Sequence, residues 1–102
     1  MSTKTQLHPH PGETILEDFM EPLGLTAYRT AKLLGIQQTA LAEILAGRRG
    51  ISAEMAFRLE RLTGAEAQFW LNLQSGYEIS LLRHDKAFSK KIEALSRLEM
   101  AA

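Results

Sequence analysis

Gln37, Gln38 and Thr39 stand in a row, Glu43 follows one helical turn later, and Arg48 and Arg49 close the same stretch. Carboxamides and a hydroxyl held together can exchange hydrogen bonds with the flat edge of a heterocyclic base. A carboxylate can accept from an exocyclic amino group, and guanidinium groups pair with phosphate oxygens. Groups suited to bond-breaking are not arranged for it: the chain has no nucleophile elbow, no phosphate-cradling glycine loop and no histidine spaced to a carboxylate for hydrolysis. His8 and His10 lie in a proline-rich arm and His84 is remote, and no cysteine is present. No metal, cofactor or enzymatic activity is therefore expected. Recognition is the chemistry these residues suit.

The elements that must position them are two short helices around a tight turn. Thr26 is a sound N-cap for the first, because its hydroxyl can accept a first-turn N–H. Ala31, Leu34, Leu41 and Ile44 fall where two crossing helices would touch, and the small Ala31 permits close approach. Gly35 can take the positive φ of a sharp inter-helix turn, with Ile36 plugging it. The second helix opens at Gln37 to Thr39 and stops at Ala46-Gly47, where glycine supplies a left-handed end. This is the pattern of a helix-turn-helix reader of double-stranded DNA, whose second helix offers its N-terminal residues to the major groove. Gln37, Gln38, Thr39 and Glu43 are then the base-contacting candidates, and Thr26, Arg29, Arg48 and Arg49 the phosphate-contacting ones. The alternatives are a solvated polar helix start, a charged loop that serves solubility and, for Glu43, repulsion from phosphate.

The remaining chain reads as support for this pair. Residues 1–11 are polar, and His8-Pro9-His10-Pro11 suggests a loose arm outside the fold. Ile15, Leu16, Phe19, Met20 and Leu23 make an amphipathic first helix closed by Pro22 and Gly24. Ser52 caps a fourth helix with Met55, Ala56, Leu59 and Leu62 inside, and Gly64 ends it. A fifth, from near Ala65 to Leu82, is apolar on nearly every side, and such a helix is buried on more than one side. Its second surface is assigned to another copy of the chain, through Phe69, Trp70, Leu73, Tyr77 and Leu81, with the core as the alternative for the aromatic pair. Phe88, Ile92, Leu95 and Leu98 form a stripe for a sixth helix in a C-terminal extension, residues 85–102. The expected fold is all-α: residues 12–84 form one helix-turn-helix and dimerisation domain.

The 102 residues suffice for one core. The absence of cysteine suits a reducing cytoplasm, and no apolar run approaches a signal peptide or a membrane span. The formal net charge of zero looks unfavourable for a DNA binder, but its distribution is uneven. Lys4 against Glu13, Glu17, Asp18 and Glu21 leaves residues 1–25 at −3. Arg29, Lys32, Arg48, Arg49, Arg58 and Arg61 against Glu43, Glu54 and Glu60 leave residues 26–61 at +3. So modest an excess predicts weak binding by one copy and a need for dimerisation.

Four segments in order, His10-Pro-Gly-Glu13, Glu21-Pro-Leu-Gly-Leu25, Arg49-Gly-Ile-Ser52-Ala-Glu-Met-Ala-Phe-Arg-Leu59 and Phe69-Trp-Leu-Asn-Leu-Gln74, carry a resemblance over residues 8 to 77. The chain resembles the HigA (VapI-type) antitoxins within the phage-repressor-like helix-turn-helix proteins. The resemblance implies a five-helix fold, a homodimer through the C-terminal helix, repression of its own operon and neutralisation of a small ribonuclease toxin. It places Gln38, Thr39 and Glu43 at base-facing positions and Thr26 and Arg48 at backbone-gripping ones. Two positions depart from it: Ala27 stands where a phosphate-contacting glutamine is frequent, and Thr30 where a buried leucine is usual. A buried Thr30 hydroxyl must find a partner, which the carbonyl of Thr26 can be. The alternatives are a stand-alone regulator without a toxin and a protein-interaction module that has lost DNA binding.

Overall fold

Pro11 opens the first helix, and its position explains the start: an N1 proline loses no hydrogen bond and brings its φ preset. His10 is the N-cap, its Nδ1 accepting the Gly12 N–H at 2.9 Å. The computed structural model describes residues 8–99, which form six helices and no strand. Helix α1 is continuous but not uniform: an α-helical turn, Pro11–Thr14, a π-helical segment, Ile15–Met20, and a last turn, Glu21–Leu23. The wide segment accommodates Pro22, which has no N–H to give and whose ring would collide with the carbonyl four residues back in α geometry. The Glu21 N–H accordingly reaches five residues back, to the Leu16 carbonyl.

The expectation of a loose arm through Pro11 is corrected here. His10 is 4% exposed and meets the Tyr77 ring edge-on at 4.9 Å, Pro11 is buried, and the His8 N–H donates to Ser80 Oγ at 3.3 Å. The prolines forbid helix before residue 11, but they do not forbid docking. Residues 1–7 of the expected arm lie outside the described residues.

Helices α2 (Ala27–Leu34) and α3 (Gln38–Leu45) cross around Gly35, whose φ of +72° is the left-handed conformation the turn needs. Ala31, Leu34, Leu41 and Ile44 form their contact, none more than 3% exposed. Thr30 is fully buried, and its hydroxyl donates to the Thr26 carbonyl at 2.8 Å, so the burial leaves no orphan group. Helix α4 (Ala53–Thr63) is capped by Ser52, whose Oγ accepts the Met55 N–H at 3.1 Å. Helix α5 (Ala67–Arg83) supplies Trp70, fully buried between Phe19 and Phe69, with centroid separations of 5.6 and 5.2 Å. Helix α6 (Lys86–Glu93) is capped by Asp85 and stops before Leu95 and Leu98, which are exposed. The helical stripe expected to include those two leucines is therefore shorter than its periodicity suggested.

Two packing contacts fix the reader on this frame. Gly12 lies so close to the end of α3 that a Cβ at this position would overlap the Ile44 carbonyl oxygen. Any side chain at this position would push α1 and α3 apart. From the other side, Arg58 of α4 donates through Nη1 to the carbonyls of Leu34 at 2.8 Å and Gly35 at 3.3 Å, while Nη2 holds Glu54 at 2.9 Å. A guanidinium here satisfies carbonyls at the C-terminal end of α2, where the helix dipole also favours a cation.

Candidate nucleic-acid interface

The geometry of α3 follows from its ends. Gln37 occupies the N-cap with extended backbone, but its side chain makes no capping bond. Gln37, Gln38 and Thr39 are all exposed and lie together at the start of the helix. Gly47, at φ +78°, reverses the chain after α3, and the Arg48 and Arg49 N–H groups return to the Glu43 carbonyl at 2.9 and 3.2 Å. Those bonds hold the double-arginine loop against the helix end. Gln74 of α5 secures the far side of the loop: its Oε1 accepts the buried Ile51 N–H at 2.9 Å, and its Nε2 donates to Glu78.

The charges within the site are not all free. Glu43 Oε1 sits 2.8 Å from Arg49 Nη2 and 2.9 Å from Arg49 Nε, both side chains about half exposed. Glu43 thus faces its own arginine in the free protein, and Arg49 reaches the surface already paired. Arg48 and Arg29 are exposed. Thr26 Oγ1 accepts the Arg29 N–H at 3.0 Å and so caps α2 while staying at the surface.

Two further side chains join this surface. Tyr28 and Lys32, one turn apart on α2, share a cleft with Gln37 and Gln38, and the Lys32 ammonium lies 5.7 Å from the Tyr28 ring centroid. Their spacing on one helix face, four residues apart, was the available signal. Arg58 and Gln74 have same-helix partners four residues away in Glu54 and Glu78, but the backbone groups they meet lie more than twenty residues away in the chain and leave no such signal.

His10 stands behind the loop. Burial pushes its imidazole below the ordinary value, against the opposing pull of a hydrogen bond with the Arg49 backbone and of the Glu13 and Glu78 carboxylates. The neutral ring is the form that can accept the Gly12 N–H.

Of the five residues assigned to a contact between copies, Trp70 is misplaced. It is fully buried within its own chain, where it fills the space beside Phe19. Its Nε1 is a buried side-chain nitrogen without a hydrogen-bond partner among the described residues. Phe69 and Leu81 are each 42% exposed, whereas Leu73 and Tyr77 are half-buried, Tyr77 against His10. Ile79 and Leu82 extend the exposed apolar surface of α5 and, with Phe88 and Ile92 of α6, line an open groove of about 390 Å³.

Comparison with known proteins agrees with this geometry. The helix-turn-helix family model HTH_3 matches residues 16–70. Virulence-associated protein I of Dichelobacter nodosus is 42% identical over 77 residues, 76% of this chain and 71% of that protein. The Pseudomonas aeruginosa antitoxin HigA, solved with the higBA promoter, is 33% identical with a TM-score of 0.81, covering 90% of this chain and 99% of that one. The antitoxin GraA, solved in complex with its operator, is likewise 33% identical at a TM-score of 0.81, covering 90% and 92%. With a buried helix crossing, a glycine turn and an exposed polar row on α3, the chain belongs to the helix-turn-helix family of virulence-associated protein I and the HigA antitoxins.

Proposed function

We propose that this chain is a sequence-specific DNA-binding repressor that acts as a homodimer and is the antitoxin of a toxin–antitoxin pair whose partner is a small ribonuclease. The observation that carries the DNA reading is the exposed row Gln37, Gln38 and Thr39, on a helix locked from two sides by Gly12 and Arg58. Solved relatives that hold promoter or operator DNA support it. In this mechanism α3 enters the major groove, and Gln38 and Thr39 exchange hydrogen bonds with base edges while Gln37 reads at the helix start. Thr26, Arg29 and Arg48 grip phosphates and set the register. Arg49 joins them when it exchanges Glu43 for the backbone, which also frees Glu43 to accept from a cytosine amino group. Phe69, Leu73, Tyr77 and Leu81 provide the dimer contact, which spaces two reading helices about one DNA turn, 34–36 Å, apart. A reducing cytoplasm is the proposed compartment.

The test is binding to the DNA upstream of the gene across a salt series. Thr39→Ala should relax preference at one base position by about 1–3 kcal/mol. Arg48→Ala should weaken all sequences alike and lower the salt slope by about 0.9 per copy. Parental behaviour in both variants would sink the docking arrangement. Growth rescue on co-expression with the adjacent small reading frame tests the antitoxin role, and sedimentation at micromolar concentration tests the dimer.

A further inference from the structure

One more apolar recess lies away from the α3 face and from the α5 surface. A groove of about 330 Å³ runs between the end of α1 and α4, with Phe19, Leu23, Leu25, Thr30, Leu59 and Leu62 in its walls. Much of one wall comes from the π-helical segment Ile15–Met20, a form of turn frequent at functional sites. Leu23 is 69% exposed at the mouth, an apolar side chain left in water. No residue of α3 lines the groove, so an occupant would leave Gln37, Gln38 and Thr39 uncovered.

The rim is acidic on its α1 side. Asp18 lines the groove, Glu21 is exposed between the lining residues Met20 and Pro22, and residues 12–25 contain no lysine or arginine. Arg29, Arg58 and Arg61 are the cations adjacent in sequence to lining residues, and the Arg58 guanidinium is taken up by the Leu34 and Gly35 carbonyls and by Glu54. At about 100° per residue, Arg61 falls on the side of α4 opposite Leu59, Leu62 and Thr63, and Arg29 a quarter-turn from Thr30. The α1 rim is therefore negative beside an apolar slot. A ribonuclease must attract a polyanion and carries a cationic surface to do so. A cationic surface of that kind would complement Asp18 and Glu21 on this rim.

We infer that the groove between α1 and α4 is the docking site for the ribonuclease toxin, which inserts an apolar side chain beside Leu23 and sets lysine or arginine against Asp18 and Glu21. The assignment rests on the antitoxin reading above. It gives neutralisation a physical form, since the rim takes up cations that RNA would otherwise meet. It also makes toxin and DNA binding compatible on one chain.

The probe is the purified product of the reading frame adjacent to the gene, titrated against the full chain, against Leu23→Ser and against the double variant Asp18→Lys/Glu21→Lys. All three positions are exposed, and thermal melts establish that the variants fold. Each variant should bind the toxin at least about tenfold more weakly. Promoter affinity should stay within about twofold, because distant sites behave independently. Toxin-loaded protein should still shift promoter DNA. Parental toxin affinity in both variants would overturn the groove assignment while leaving the antitoxin reading intact. Failure of the parent itself to bind that product would remove the antitoxin reading and the assignment with it. A loss of dimer on Leu23→Ser, seen by sedimentation without toxin, would show that a second copy fills the groove and would also overturn the proposal.

Discussion

The helix-turn-helix unit and the C-terminal helices are held by different means. Around Gly35 and Gly47 the backbone is fixed by polar bonds that arrive from elsewhere in the chain: Arg58 on the end of α2, Gln74 on the loop after α3, and His10 against the Arg49 backbone. Between α5 and α6 the contact is mostly apolar and open, with Ile79, Leu82 and Ile92 each 43–50% exposed. A reader of base edges needs fixed donors and acceptors, because a hydrogen bond fails over a few tenths of an ångström. A surface that pairs with another protein needs apolar area that is still unsatisfied before it meets its partner. Under the proposed function, the two ends serve two uses.

The comparison can be broken at several points. Trp70→Ala should cost about 3–5 kcal/mol of unfolding free energy, measured in denaturant, since Trp70 joins both ends through one core. Gly12→Ala should cost about 1–3 kcal/mol or more and, if the protein folds, should lower promoter affinity through displacement of α3. A neutral outcome there would mean that the reader is less rigidly placed than the packing of Gly12 against the Ile44 carbonyl requires. Arg58→Met, which keeps the stem and removes the donors, should cost about 1–3 kcal/mol and loosen hydrogen-exchange protection around Gly35. By contrast, Ile92→Ser at the apolar end should change the stability of the single chain by no more than about 0.5 kcal/mol. A larger loss would show that α6 is part of the core.

A pH series sharpens the same contrast. His10 is held neutral below its ordinary pKa, so the unfolded chain binds a proton that the folded chain refuses. Stability from this group is full above about pH 6.5 and falls as pH drops below it, until the folded ring itself protonates. Thermal melts from pH 7.5 to 5 should reveal the decline. His10→Asn, which keeps an N-cap acceptor without a titrating ring, should flatten it. Equal slopes in parent and variant would assign the pH dependence to other groups.

Much of the reader was legible because its determinants are local. Thr26, Gly35, Ser52, Gly47 and Gly64 each act on backbone within a few residues, and each stands where its chemistry predicts. The apolar pairs of α2 and α3 follow from periodicity alone. Residues whose meaning depends on distant partners were not legible. Nothing beside Arg58 or Gln74 in the chain announces the carbonyls and amides they meet. Trp70 shows a second limit: a helix apolar on several sides reveals that its faces are covered, but not whether its own chain or another covers them. Pro22 shows a third, since a proline near a helix end can terminate the helix or widen the turn before it, and here the preceding turn widens.

The pairing of Glu43 with Arg49 also bears on how an operator would be found in a genome. Random DNA attracts a repressor through its cations, and every segment that holds it delays the search. A guanidinium that already has a carboxylate must first give up that pairing, worth up to about 1 kcal/mol for a half-exposed pair, to meet a passing phosphate. In the proposed docking, only a site where Glu43 gains a base partner as Arg49 turns to the backbone repays the exchange on both sides. Under this arrangement the protein leaves wrong sequences quickly, and a chain of zero net charge becomes suited to short visits and one long stay.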